Sequence, residues 1–175
     1  MPANLPHYPV SDVLSDIGAA LEAGTSAVLS APPGAGKTTL VPLHLLDAPW
    51  RRDGKIILLE PRRLAARAAA NRMASLLDEK TGETVGYRMR LDSRVSGKTR
   101  IEVVTEGVFA RMILDDPELD GVACVIFDEF HERSLDADFG LALALDVQRA
   151  LRDDLRLVVM SATLDTARIA ELMGG

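Results

Sequence analysis

Short blocks of consecutive apolar residues alternate along this chain with longer stretches in which apolar positions recur every three or four residues. The blocks at residues 27–29, 55–60, 87–91, 101–105, 122–128 and 157–160 have the length of buried strands. Between them the helical period predicts helices over residues 12–23, 37–47, 63–77, 107–114, 134–151 and 166–173. Ser11 is placed to cap the first helix and Gly24 to end it. Pro42 falls early inside the second and predicts a kink rather than a break. The polar run 93–98 reads as a loop. Strands and helices in alternation predict an α/β fold, with a mainly parallel sheet sandwiched between helices. No repeat, low-complexity tract or internal boundary interrupts the pattern, and 175 residues suit one domain spanning 1–175 with a single sizeable core.

Composition narrows the class. Apolar residues make up 47% and charged residues 26%, as in soluble globular proteins. The longest apolar runs are far too short to cross a bilayer, and no membrane partner is expected. Residues 1–10 have neither a charged start nor a continuous apolar stretch, so no signal peptide is expected and the cytoplasm is the default compartment. The single cysteine, Cys124, lies inside an apolar block and reads as a small buried hydrophobe. The net charge of −6 argues against a nucleic-acid partner, but its distribution argues the other way. Residues 51–111 carry 14 Lys and Arg against 8 Asp and Glu, while the remainder is strongly acidic. Such a basic middle suits a phosphate-binding face and, equally on charge alone, a solvated arginine-rich surface.

Chemistry enters after the first strand. The stretch Ala31-Pro32-Pro33-Gly34-Ala35-Gly36-Lys37-Thr38 matches the phosphate-loop pattern G-x-x-x-x-G-K-[ST] except at its first position. Small residues let the backbone wrap closely around phosphate oxygens, and N–H groups at the opening of a helix point at them. Lys37 is placed to reach the β- and γ-phosphates, and the Thr38 hydroxyl to ligate magnesium. The alternative is a proline–glycine turn before an unrelated helix. Ala31, in place of glycine, costs affinity if that position needs a positive φ. A second piece closes the fifth predicted strand, which ends in Asp128 and Glu129. Acids at such a strand end hold magnesium (Asp128) and orient and activate the attacking water (Glu129). Alone, two acids after a strand signify little; with the upstream loop they supply the other half of one reaction.

Asp128-Glu129-Phe130-His131, followed by Glu132-Arg133-Ser134, closely resembles the Asp-Glu-x-His signature of superfamily 2 helicases of the DEAH/RHA group. Further stretches resemble the same family in its order: Pro61-Arg62-Arg63 with the alanine-rich helix, Val85-Gly86-Tyr87-Arg88-Met89-Arg90, Thr105-Glu106-Gly107, and Ser161-Ala162-Thr163-Leu164-Asp165. Phe130, in place of the signature's alanine, points to the bacterial HrpB type. The likeness covers about residues 10–175 and implies a RecA-like P-loop NTPase domain, the first of two in an ATP-dependent helicase. Carried over residue by residue, it implies that Pro33, Gly34, Ala35, Gly36, Lys37, Thr38 and Thr39 hold the nucleotide. Thr38, Asp128 and Glu129 handle metal and water. Lys37, Asp128, Glu129 and His131 form the catalytic set. Arg72 resembles an arginine that stacks on the base, a contact tolerant of bases other than adenine. His131, Ser161 and Thr163 would couple the phosphate site to strand movement.

Arg62, Arg63 and Thr105 would touch the backbone of single-stranded nucleic acid, RNA in preference to DNA. Contacts of that kind are insensitive to sequence and weakened by salt. Aromatic residues are only 4% of the chain, which leaves little for bases to stack on, and Trp50 reads as a packing residue. No Gln-x-x-Gly-Arg-x-Gly-Arg motif occurs in these residues, so the arginine fingers of a second RecA-like domain are expected from elsewhere. Two other classes remain: a small P-loop kinase, for which the basic window 88–100 could be mistaken for the lid but which residues 128–134 and 161–165 fit badly, and a non-enzymatic nucleotide-gated binding module.

Overall fold

The computed structural model describes residues 4–163 and 165–174. Residues 1–3 of the N-terminal stretch, and Leu164 of the Ser-Ala-Thr-Leu-Asp stretch, lie outside the described residues. The strands are β1 (Ser26–Ser30), β2 (Lys55–Leu59), β3 (Val85–Met89), β4 (Asp92–Arg94), β5 (Ile101–Val104), β6 (Val122–Phe127) and β7 (Arg156–Ser161). The helices are α1 (Leu14–Ala23), α2 (Lys37–Leu45), α3 (Arg63–Leu76), α4 (Glu106–Asp115), α5 (Leu135–Ala150) and α6 (Thr166–Leu172). The strands form one sheet in the order β1-β7-β6-β2-β5-β3-β4. Every neighbouring pair is parallel except β3 with β4.

Apolar blocks are required because this sheet is covered on both faces. Alternate residues of each strand feed two cores. Ile56, Leu58, Cys124, Ile126, Val158 and Met160 pack beneath α1, α2 and α3. Ile57, Leu59, Val125, Phe127, Leu157 and Val159 pack beneath α4, α5 and α6. Cys124 is fully buried, as its setting predicts. In α3 the buried face is Ala66, Ala69, Ala70, Met73 and Ala74, small residues that bring the helix close to the sheet. Trp50 is a packing residue, lying against the first core and under the Arg156 guanidinium at 5.2 Å.

Local chemistry departs from the pattern in three places. Ser11 does not cap α1; it sits in a 3-10 turn (Pro9–Val13), where its Oγ accepts from the Tyr8 amide at 3.0 Å. Pro9 at the front of that turn fixes the φ that a tight helical turn needs. Gly24 does end α1, its N–H donating to Ala20 O. Residues 92–94 are not loop but strand β4, folded back on β3 through Leu91 at φ 64°. Its polar side chains hid it, since an edge strand with a wet face carries no apolar run. The β3 strand begins at Val85, two residues before the apolar cue, because Gly86 lies against β4. A Cβ there would meet the Arg94 carbonyl oxygen at 2.2 Å.

That contact is backbone against backbone and has no side chain to swing away. Gly86→Ala should therefore push β4 off β3 and cost about 1–3 kcal/mol. Urea unfolding of the variant would measure this, and a midpoint equal to the parent's would refute the close approach.

Candidate nucleotide and coupling site

The loop after β1 is held from both sides. Ala31 N–H donates to Ser161 O at the end of β7, and Ala35 O accepts from Val10 N–H at 3.0 Å. Gly34 and Gly36 have φ of 79° and 86°, which only glycine adopts cheaply. Ala31 is not among the positive-φ residues, so backbone conformation does not demand glycine there. Gly36 then opens α2, which places Lys37, Thr38 and Thr39 on its first turn, with Thr39 Oγ1 donating to Gly36 O. Pro42 is buried inside this helix, where its missing amide would face Thr38 O near the helix start.

Strand register brings the second piece to this loop. Leu29 pairs with Met160 and Phe127 with Val159, so β1, β7 and β6 end at nearly one level. Thr38 Oγ1 donates to Asp128 Oδ2 at 2.5 Å. The Lys37 ammonium, almost wholly buried, lies 3.5 Å from Glu129 Oε1. The other oxygen of Glu129 is 3.1 Å from His131 Nε2, and His131 Nδ1 accepts from the Ala162 amide at 3.0 Å. Ser161 Oγ and Thr163 Oγ1 are 3.2 Å apart beside it. The residues that the sequence suggested for catalysis and coupling thus lie in one connected network.

A short 3-10 turn (Phe130–Glu132) arranges this tip, flanked by Glu129 at φ 52° and Arg133 at φ 47°. Left-handed conformations in such residues cost of order 1–3 kcal/mol each and persist where surroundings impose them. Phe130 supplies part of that. It is buried, meets Phe127 edge-on at 6.4 Å, and lies under the Arg133 guanidinium.

The remaining expected residues spread along the same sheet edge. Arg62 is ion-paired with Glu132 at 3.4 Å, and Arg63 donates to Arg90 O at 2.9 Å. Thr105 is the half-buried N-cap residue of α4. Next to it, Glu106 accepts from the Ser134 hydroxyl at 2.6 Å, and Ser134 in turn caps α5. Arg72 stands apart, exposed on α3, with its Nη2 3.4 Å from the Tyr8 hydroxyl.

Sequence reasoning missed Glu60. It directly follows β2, is buried, and hydrogen-bonds Asp128. Burial first, then the Asp128 charge, pushes its carboxyl up to about 9, so Glu60 is the protonated donor at neutral pH. Burial raises Asp128 as well, against the hydrogen bonds from Thr38 and Glu60. Its position before Pro61 was the available signal, masked because it reads as the last residue of an apolar strand. Hydroxyl and carboxylate oxygens crowded at this tip form the donor set that suits a hard divalent cation such as magnesium.

A parallel sheet with helices on both faces, a phosphate loop after its first strand and acids at a nearby strand end define a RecA-like P-loop domain. The chain belongs to the DEAD/DEAH box helicase family, whose pattern matches residues 15–172. It is 61% identical over 165 residues to the ATP-dependent RNA helicase HrpB of Escherichia coli, covering 94% of this chain and 20% of that protein. It is 37% identical to the ATP-dependent RNA helicase HrpA of Borreliella burgdorferi, covering 93% of this chain and 19% of that one. A crystal structure of the E. coli DExH-box NTPase HrpB superposes with a TM-score of 0.91 at 58% identity, covering 98% of this chain and 21% of that one. The chain thus spans about a fifth of the length of these relatives.

Because the folded chain keeps a proton on Glu60 that the unfolded chain releases, stability falls as pH rises from about 4.5 towards about 9. Glu60→Gln retains a donor to Asp128 with no proton to lose. Without magnesium or nucleotide it should be more stable than the parent at pH 8 by at least about 1.4 kcal/mol, the equivalent of one pKa unit. At pH 4, below the unfolded value, the advantage should vanish. Urea titrations at both values decide it, and a pH-independent difference would exclude the protonated carboxyl.

Proposed function

We propose that residues 1–175 form the first RecA-like, ATP-binding domain of a DExH-type helicase. The domain couples binding and hydrolysis of magnesium ATP to sequence-independent binding of single-stranded nucleic acid, RNA in preference to DNA. The observation that carries this reading is the meeting of loop and acidic tip, Thr38 on Asp128 and Lys37 beside Glu129. The RNA preference is drawn from the relatives, which are named as RNA helicases. Their greater length supports a second RecA-like domain as the partner that completes the site. No helix of the described residues is long and apolar enough to cross a membrane, and we place the domain in the cytoplasm.

Amides of the loop from Pro33 to Thr39 receive the phosphates, and Lys37 exchanges the Glu129 carboxylate for phosphate oxygens. Glu129, released from Lys37 and still held by His131, faces the terminal phosphate and takes the proton of the attacking water. Thr38 and Asp128 are the groups that would hold magnesium, which when bound neutralises charge on the phosphates. His131 ties Glu129 to the Ala162 amide at the end of β7, so a change at the water-activating carboxylate is felt at Ser161 and Thr163. Arg62 answers to both sites, since the carboxylate it holds, Glu132, belongs to the same turn as His131. No observation favours the kinase or the binding-module reading.

In a two-domain protein, Lys37→Ala should abolish ATP binding. Glu129→Gln should leave binding intact and slow hydrolysis by about 10²–10⁴-fold. Nucleotide titration and turnover with single-stranded RNA or DNA would test both, and RNA that left turnover unchanged would sink the motor reading. These 175 residues alone should turn over about 10³–10⁵-fold more slowly than the two-domain protein, the usual worth of an arginine finger. A comparable rate would place the whole catalytic apparatus in this domain.

A further inference from the structure

The segment before α1 lies against the phosphate loop. Val10 N–H pins it to the phosphate loop through Ala35 O. Two residues earlier, the Tyr8 ring stands on Gly36, where an added Cβ would lie 2.8 Å from both Tyr8 Cβ and Cγ. The other end of that ring reaches α3, its hydroxyl accepting from Arg72 Nη2 at 3.4 Å. Tyr8 is half-buried against the first core, and the Ser11 hydroxyl fixes its backbone amide. One aromatic side chain therefore bridges the cradle and an exposed arginine.

Among the described residues the Arg72 guanidinium has no carboxylate partner, and the Tyr8 hydroxyl is its one hydrogen-bond partner. A guanidinium loses much rotamer freedom when fixed, and its flat face stacks well on aromatic rings. Fixing it in advance removes that entropy from the cost of binding. The Tyr8 phenol spans from Gly36, at the phosphate loop, to Arg72 on α3.

We propose that Tyr8 is a positioning residue for the nucleobase end of the nucleotide site, holding Arg72 so that its guanidinium face meets the base of a nucleoside triphosphate. The inference rests on the proposed nucleotide site and on Arg72 as its base contact. Stacking reads a face and not an edge, so purine and pyrimidine triphosphates gain alike. Inorganic tripolyphosphate, which occupies only the cradle, gains nothing.

The test uses the full chain with magnesium and a fluorescent ATP analogue, displaced in turn by ATP, GTP and inorganic tripolyphosphate. Tyr8→Phe, which keeps the ring on Gly36 and removes the hydroxyl, should weaken ATP and GTP by about three- to tenfold. Tripolyphosphate affinity should not move. In a background of Arg72→Ala the Tyr8 change should have no further effect, since the two act as a unit. Unchanged ATP affinity in Tyr8→Phe overturns the proposal, as does an equal loss for tripolyphosphate, which would reduce Tyr8 to packing on the loop. Failure of the nucleotide-site reading itself shows differently: Lys37→Ala would then bind ATP as the parent does.

Discussion

The hydrogen bond from Thr38 to Asp128 joins two strand ends that are not neighbours in the sheet, with β7 between them. It exists only because three parallel strands end at one level, and that level is set by register. Register, in turn, is fixed by burial on both faces. Displacing β6 by one residue would send Val125 and Phe127 to the core that Cys124 and Ile126 now fill. The chemistry at the tip is therefore enforced by apolar side chains well below it.

Beyond that bond, the turn after β6 is where separate tasks converge. Glu129 faces Lys37, His131 reaches the end of β7, Glu132 holds Arg62, and Ser134 meets Glu106 at the start of α4. The segments that follow β1, β7, β2 and β5, four in all, are thus tied to the six residues 129–134. So sharp a path, with two left-handed residues, holds only if something anchors it, and Phe130 on Phe127, which in turn meets Phe109, is that anchor. An alanine there would leave the path to other contacts; a phenylalanine fastens it to the core directly.

The sequence displayed the strands that are buried on both faces and the loop with its lysine and threonine, because burial and phosphate binding each demand a narrow set of residue types. It concealed β4, whose exposed polar residues are held by backbone bonds and by Asp92 with Arg67 and Tyr87. It concealed Glu60 and Tyr8 for a different reason. Each meets partners distant in sequence, Asp128 for Glu60 and both Gly36 and Arg72 for Tyr8, and no local period or spacing reports such pairings. Ser11 had the right residue type for a helix cap and was used in a tighter turn, since Pro9 had already set the backbone. What is legible, then, is whatever repeats along the chain or follows from one segment's own chemistry.

The basic stretch 51–111 left two readings open, a phosphate-binding face or a solvated surface, and its arginines occupy a position between them. Arg62 pairs with Glu132, Arg67 with Asp92, Arg88 with the buried Glu102, and Arg111 with Asp115. A nucleic-acid backbone arriving on the proposed edge must exchange phosphates for these carboxylates. Exposed pairs are worth about 0–1 kcal/mol, so the exchange is nearly free at Arg62 and Arg111. It is dear at Arg88, because Glu102 is buried and shares Lys55. Track binding should therefore draw on fewer cations than the arginine count suggests. Where Arg62 lets go of Glu132, the loosened residue lies three positions from Glu129, the carboxylate proposed to activate water. On the proposed function, occupancy of the nucleic-acid edge would reach Glu129 through the three residues of chain that separate it from Glu132.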